Sequence, residues 1–469
     1  MDHLSRRRLL RAAGLGAAAL AVGRPARAEA PPAPPKPNIL VLVADDMGWA
    51  DVGYHGSRIK TPNIDRLART GVELDCHYVQ PMCTPTRVAL LTGRYPSRFG
   101  NQAITPCNTQ TIPFGTVTLA SALKAAGYDT GISGKWHLGS KPAWGPRQFG
   151  FVRSYGSLAG GVGPYNHLYK KGPYSRTWHR NDTLIDEQGH VTDLLGREVV
   201  EWIQAKRRPW FYYVPFTAVH VPVKAPDKYI RLYAGKTWYD DPKKDEAFKR
   251  YAAYASQMDD WIGRMIDALD RTGQRDTTLI IFFSDNGSFP SWRPRGLYPG
   301  KHPASPVLGS NRPLRGYKAQ LYEGGIRTPA CANWPGTLTP GKVTAPLHAV
   351  DWMPTLMRLL GIAPKSDLKW DGRDIWPILT GRQTRPAPRT IYWKFTRGSA
   401  VRHGHWKLIL PRSGRKIELY HLADDPHETR NLAAKDPART TQLRKRLADC
   451  AQADSATRPP DAGRPGDPK

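Results

Sequence analysis

Asn38-Ile39-Leu40-Val41-Leu42-Val43-Ala44-Asp45-Asp46 is an uncharged run of seven residues closed by two adjacent acids. A continuous apolar run, without alternation of polar and apolar positions, marks a strand buried on both faces. The pattern recurs. Residues 128–134 form a less apolar strand ending at Lys135-Trp136-His137; 210–216 form an aromatic strand followed four residues later by His220; and 278–283 run into Ser284-Asp285-Asn286-Gly287. The segments between them carry helix punctuation. Residues 61–71 have Thr61 as cap, Pro62 in the first turn and Gly71 as stop, and 118–126, 192–206 and 246–271 also read as helices, the last closed by Gly273. Strands alternating with helices predict an α/β fold with a large, mostly parallel central sheet flanked by helices.

In such sheets ligands bind beyond the carboxyl ends of the strands. Asp45, Asp46, Lys135, His137, His220, Asp285 and Asn286 all follow strand ends, so the fold brings them to one site. Taken singly, each has a plainer explanation, because Asp after a strand caps helices and a lone His is often structural. Four strand ends bearing such residues together favour a shared site. Two long irregular segments border it: 138–182, rich in Gly, Tyr and His, reads as a loop insertion on the rim, and 288–312, with Trp292, Arg293, Lys301 and His302, as a substrate-facing flap. From about Asp371 the pattern changes to short strands at 390–395, 399–402, 406–411 and 418–421, then a helix near 438–448. This predicts a smaller C-terminal domain, 371–453, of antiparallel sheet plus helix behind a catalytic domain of 38–370, with a disordered tail over 454–469.

The first 28 residues read as a Tat-type signal peptide. Ser5-Arg6-Arg7-Arg8-Leu9-Leu10 supplies the twin arginine, 12–22 a short apolar run and Ala26-Arg27-Ala28 a cleavage site, and 29–37 form a Pro-rich spacer. The expected location is periplasmic or secreted, reached through the Tat export machinery. No later run is long and uncharged enough to span a bilayer, so no stable membrane anchor is expected. The chain carries 69 Lys+Arg against 40 Asp+Glu, a net charge of +29, and removing the leader takes six Arg and one Asp and leaves +24. Such an excess attracts polyanions such as acidic polysaccharide. Nucleic acid is excluded as a partner, because there is no zinc-finger spacing and no basic helix interleaved with aromatics. The five cysteines, Cys76, Cys83, Cys107, Cys331 and Cys450, are an odd number for an exported chain, so at least one is unpaired or otherwise used.

Cys83 stands out among them. Gln80-Pro81-Met82-Cys83-Thr84-Pro85-Thr86-Arg87, followed by an apolar turn and Gly93, reads as a helix start with Thr84 and Thr86 accepting from free N–H groups. At a helix N-terminus, with Arg87 one turn on, an anion is attracted and a thiol pKa is lowered. The plainer reading is a buried Cys beside a capped helix.

These motifs together resemble the type I, formylglycine-dependent sulfatases of the alkaline-phosphatase-like superfamily. Cys83-Thr84-Pro85-Thr86-Arg87 matches the family's C-x-P-x-R signature, and Gly134-Lys135-Trp136-His137-Leu138-Gly139, Ser284-Asp285-Asn286-Gly287 and Arg315-Gly316-Tyr317-Lys318 through Glu323-Gly324-Gly325 follow in the family's order. The likeness runs from Asn38 to about Leu432, and within the family it leans toward arylsulfatase B, the N-acetylgalactosamine-4-sulfatase type. It implies that Cys83 is oxidised to formylglycine by a formylglycine-generating enzyme, and that Asp45, Asp46, position 83, Asp285 and Asn286 bind Ca²⁺, with Mg²⁺ the lesser alternative. It further implies that a hydroxyl of the hydrated aldehyde attacks the sulfur of a sulfated small molecule or glycan, forming a sulfo-enzyme that expels inorganic sulfate. Arg87, Lys135 and Lys318 would neutralise the sulfuryl oxygens, His220 would protonate the leaving oxygen and His137 would take the proton of the second hydroxyl. Val88 stands where many relatives carry a small polar residue, and the match around His220 is looser than that around His137. His55, His77, His167 and His348 read as structural. Two other functions remain open: a phosphonate monoester or phosphodiester hydrolase on the same scaffold, and a non-catalytic polyanion-binding protein in which Cys83 stays a thiol.

Overall fold

A computed structural model of the chain describes residues 36–457 and 459, apart from 207, 208, 294, 295, 303, 307, 365 and 415. The signal peptide, the spacer up to Pro35 and the tail beyond 459 lie outside the described residues. Across the ten-stranded central sheet run, in order, Gly341–Val343, Val72–Leu74, Ala330–Asn333, Thr278–Ser284, Asn38–Ala44, Trp210–Pro215, Asp129–Lys135, Arg153–Ser157, Trp178–Arg180 and Thr183–Leu184. The four strands read from the sequence are its centre. Asn38–Ala44 pairs parallel with Thr278–Ser284 on one side and Trp210–Pro215 on the other, and Asp129–Lys135 pairs parallel with the latter. Ala330–Asn333 lies antiparallel to Thr278–Ser284, so the sheet is mixed toward that edge.

The opening run is buried along its whole length because its two faces enter two different cores. Ile39, Val41 and Val43 pack with Val88, Leu91, Leu119 and Trp352 on one side. Leu40 and Leu42 pack with Trp202, Tyr251, Met258 and Ile262 on the other, under the helices Val191–Ala205 and Pro242–Arg271. Each fully buried aliphatic side chain there contributes about 1.5–3 kcal/mol.

Two local expectations change. The segment 138–182 contains the strand Arg153–Ser157, parallel to Asp129–Lys135 with Gly156 opposite Gly134. Its sequence hides it, since small and polar residues supply the close fit that an apolar run would usually signal. At the first helix, Pro62–Arg69, Thr61 makes no side-chain cap; Asp259 instead accepts from the N–H groups of Asn63 and Ile64.

The C-terminal strands Thr390–Phe395, Gly398–His403, Trp406–Pro411 and Glu418–His421 form an antiparallel four-stranded sheet, and the last helix is Pro437–Ala451. That sheet is buried on both faces. Tyr392, Val401 and Leu408 enter the same core as Ile39 and Trp352, while Ile391, Trp393 and Tyr420 pack with Tyr78 and Ile326. The tail expected to be disordered from Asp454 is anchored at its start, because Arg98 and Tyr392 both donate to the Asp454 carboxylate at 2.7 Å and Ser455 N–H donates to Ser97 O.

Candidate active site

Cys83 is the first residue of the helix Cys83–Thr92, all of whose side chains are buried. The helix closes at Gly93, whose φ of 67° lies in the left-handed region that favours glycine. The two threonines do not cap it. Thr84 Oγ1 donates to His137 O at 3.0 Å; Thr86 Oγ1 donates to Asp285 O at 2.6 Å and accepts from Gln80 N–H. They lock the helix start onto two strand ends, a demand that won over capping.

Parallel pairing puts the acids and cations side by side. Asp285 N–H donates to Ala44 O, and Asp45 exchanges backbone hydrogen bonds with Ala218 and Val219, which tie the loop bearing His220 to the first strand. Lys135 Nζ lies 2.6 Å from Asp45 Oδ2, Arg87 Nη2 lies 2.7 Å from Asp285 Oδ2, and Lys318 is paired with Asp46. Asn286 Nδ2 donates to Asp46 Oδ1 at 2.7 Å. Three buried carboxylates thus face three buried cations. Arg87 is also held by Lys135 O, so it braces the floor and is not aimed at the thiol alone.

Both histidines read from the sequence reach this cluster. His137 Nδ1 lies 3.2 Å from Cys83 Sγ, and His220 Nε2 lies 3.8 Å from Asp46 Oδ2. His220 Nδ1 meets Val221 O at 2.6 Å; a carbonyl only accepts, so Nδ1 carries the hydrogen and Nε2 is the nitrogen that titrates. Burial holds both rings well below the ordinary histidine range, reinforced by nearby cations at His137 and partly opposed by Asp46 at His220, so both are neutral in the resting site. Burial also pushes the Cys83 thiol up, outweighing Lys135 and Lys318. The expected activated thiolate is therefore corrected, since desolvation exceeds the pull of the cations and the helix end.

Cys83, His137, His220, Asp46 and Lys318 open into a cavity of about 280 Å³. Residues 138–182 and 288–312 wall it as expected, through Gly160, Tyr169, Lys170, Trp292 and Tyr298. Lys301 is exposed, and His302 packs against Trp292 and Tyr298. His55, His77, His167 and His348 serve packing: His55 stacks on Trp49, His77 accepts from Trp352, His167 stacks on Trp178, and His348 accepts from Val350 N–H.

Two signals escaped the sequence. Asp46 and His137 have φ of 64° and 59°, a strained conformation that costs on the order of 1–3 kcal/mol and concentrates at functional sites. A Cβ on Gly160 would lie 2.3 Å from His137 Nε2, so only glycine lets that loop close over the ring. The Ala159-Gly160-Gly161-Val162-Gly163 run could have pointed to such a close approach.

The residues fit a hard divalent cation. Asp45 Oδ1 and Asn286 Oδ1 are buried without a hydrogen-bond donor among the described residues, which leaves two oxygens to be satisfied by something else. Burial pushes Asp45 up to about 8 despite Lys135, a cost that bound positive charge would remove. Ligand atoms of Asp45, Cys83 and Asp285 lie within 4.8 Å of one another. All but Sγ are oxygens, which suit Ca²⁺, whereas a soft sulfur beside them fits poorly and an oxygen at position 83 fits well.

With the geometry in place, the comparisons with known proteins are concordant. The family model described as Sulfatase matches residues 37–362, and that described as N-sulphoglucosamine sulphohydrolase, C-terminal, matches 317–453. Arylsulfatase J of Mus musculus is 31% identical over 472 residues, covering 88% of this chain and 75% of its own. N-acetylgalactosamine-6-sulfatase of Canis lupus familiaris is 33% identical over 423 residues, covering 85% and 74%. Among solved structures, that of Ps i-CgsB in complex with k-i-k-neocarrahexaose superposes with a TM-score of 0.79 at 29% identity, covering 90% of this chain and 94% of the other.

Proposed function

The chain belongs to the sulfatase family and is a sulfuric ester hydrolase, and from that premise we propose that it releases inorganic sulfate from a sulfated sugar, with position 83 converted from cysteine to formylglycine beside a calcium ion. The observation that carries this reading is the pair of donorless oxygens, Asp45 Oδ1 and Asn286 Oδ1, buried in the same cluster as Cys83. Asp45, Asp46, Asp285 and Asn286 would hold the ion together with position 83. Hydrated formylglycine supplies two hydroxyls on one carbon, one to attack sulfur and one to allow sulfate to be expelled afterwards, and calcium supplies positive charge beside them.

The chain's own residues do the rest. Arg87 and Lys135 stiffen the floor, and Lys318, on the cavity wall, stabilises the negative charge of the sulfuryl oxygens as the ester bond lengthens. His137, 3.2 Å from the side chain at position 83, is neutral and so can take a proton there. His220 serves the leaving oxygen. Empty of substrate, burial keeps it unprotonated, with Lys318 and Lys135 acting against the pull of Asp46; an anionic ester in the cavity adds negative charge and lets Nε2 hold the proton it will deliver. The Gly160–Gly161 segment packs against His137 and His220 and closes one side of the site.

The sugar specificity rests on the relatives, one of which is named for N-acetylgalactosamine sulfate. The leader sequence and the periplasmic or secreted location stay part of the proposal, with a formylglycine-generating enzyme and the Tat machinery as maturation partners. The test is turnover of sulfated sugars and aryl sulfates against aryl phosphonate esters. Sulfate esters should be hydrolysed faster; a strong phosphonate preference would replace this reading with the phosphonate hydrolase alternative.

A further inference from the structure

The roof of the cavity is made where two loops meet. Lys171 N–H donates to Leu297 O at 2.9 Å, Trp292 and Ser305 exchange N–H···O bonds at 2.7 and 2.9 Å, and the Tyr169 and Tyr298 rings stand edge to face with centroids 6.0 Å apart. These contacts fix Lys170 on the cavity wall with Cys83, His220 and Lys318. The site's other cations are each tied to a carboxylate: Lys135 to Asp45, Lys318 to Asp46 and Arg87 to Asp285.

Lys170 differs. Among the described residues its ammonium has no carboxylate partner, and its contact is with the Tyr169 ring, 5.5 Å from the centroid. It is half-buried, and burial together with the fields of Lys318 and Lys135 lowers its pKa, so the folded chain holds a cation there at a cost. Tyr298, only 3% exposed, lines the same cavity, and its buried hydroxyl has no hydrogen-bond partner among the described residues. An unpaired ammonium and an unpaired buried hydroxyl on one cavity wall are complementary to an oxyanion. The scissile sulfate does not need them: the three floor cations are balanced by three carboxylates, and the two charges of the proposed calcium already exceed its single charge.

We propose that Lys170, with the Tyr298 hydroxyl, binds a second anionic substituent of the substrate, a carboxylate or another sulfate on the sugar bearing the scissile ester or on its neighbour. This rests on the sulfatase reading above and makes Lys170 a specificity-determining residue. It also gives part of the basic surplus a defined task.

The test separates binding from turnover by using the Cys83→Ser background. Calorimetry would compare a monosulfated N-acetylgalactosamine, its disulfated form, and a monosulfated chondroitin disaccharide that carries a uronate. At least one doubly anionic probe should bind about tenfold or more tightly than the monosulfated sugar, the scale of one charge-assisted hydrogen bond. Which of the two gains distinguishes sulfate from carboxylate. Adding Lys170→Met should erase the advantage and leave the monosulfated sugar within about twofold, whereas Lys170→Arg should keep it. The inference is overturned if neither doubly anionic probe binds better, if Lys170→Met preserves the advantage, or if it weakens all three probes equally. Failure of the mature wild-type enzyme to release sulfate from any of them would instead refute the hydrolase reading, while the binding data still judge Lys170.

Discussion

Two buried charge clusters of similar make-up sit in this molecule, and they behave differently. In the first, at the strand ends, Asp45, Asp46 and Asp285 face Lys135, Lys318 and Arg87, yet among the described residues Asp45 Oδ1 and Asn286 Oδ1 lack donors, and the cluster opens into a cavity. In the second, under the C-terminal sheet, Lys407 Nζ lies 2.9 Å from both Glu323 and Glu428, the second oxygen of Glu323 accepts from Tyr78 at 2.6 Å, and Arg402 joins through the Tyr78 hydroxyl. Lys407 is wholly buried. Balanced charge alone therefore does not identify a functional site. Nor does a donorless oxygen alone, since Glu428 Oε1 in the second cluster, though ion-paired, also has no hydrogen bond among the described residues; what marks the first cluster is that its donorless oxygens lie beside a space that a ligand can enter.

If that distinction is right, substitutions in the two clusters should divide between chemistry and stability. The largest effect is expected at His220. His220→Ala should lower turnover by about 10²–10⁴-fold, the usual worth of a general acid, with a larger loss on sugar sulfates than on a nitrophenyl sulfate, whose leaving oxygen needs no proton. An equal loss on both would remove His220 from that role. Next comes Lys407→Met, which strands two buried carboxylates and should cost about 3–5 kcal/mol of unfolding free energy, leaving kcat of the folded fraction unchanged. Denaturant midpoints and kcat measured on the same preparation check both halves.

Smaller still is the cation's effect. Ca²⁺ at about 100 times its Kd should add about 2.7 kcal/mol to stability, read as a rise in Tm, and Asp46→Ala should abolish the rise while Lys407→Met keeps it. A rise that survives Asp46→Ala would place the ion elsewhere. The smallest effect belongs to His77, which directly follows Cys76 and adjoins Tyr78 of the second cluster. Its Nε2 accepts from Trp352 and burial lowers it to about 3, so it stays neutral in the folded state. A depressed histidine binds fewer protons folded than unfolded between 6.5 and about 3, so stability is lost as pH falls through that window, by about 1.4 kcal/mol per unit. Unfolding free energies at pH 6 and pH 5 should differ by that amount more in wild type than in His77→Gln.

How much of this was legible in the sequence follows the same division. The strand ends were readable because a buried parallel strand writes itself as an unbroken apolar run, and the residue after it is then fixed in space; Asp45, Lys135, His220 and Asp285 could be gathered without coordinates. The C-terminal strands were readable from their alternation. The polar strand Arg153–Ser157 was not, because its fit depends on small residues against Gly134. Nor were Lys170 and Tyr298, which meet only because two long loops close on each other, through contacts such as Lys171 to Leu297 that no local pattern encodes. The helix end at Cys83 was readable, but its pull on the thiol is outweighed, since desolvation raises the pKa. That correction strengthens the case for a different species at position 83.

The most direct measurement is therefore the accurate mass of the peptide spanning Cys83, taken from active protein produced alongside a formylglycine-generating enzyme. A peptide lighter by the exchange of sulfur for oxygen and the loss of two hydrogens is the predicted result. An unmodified cysteine mass in protein that still releases sulfate at full rate would contradict the account.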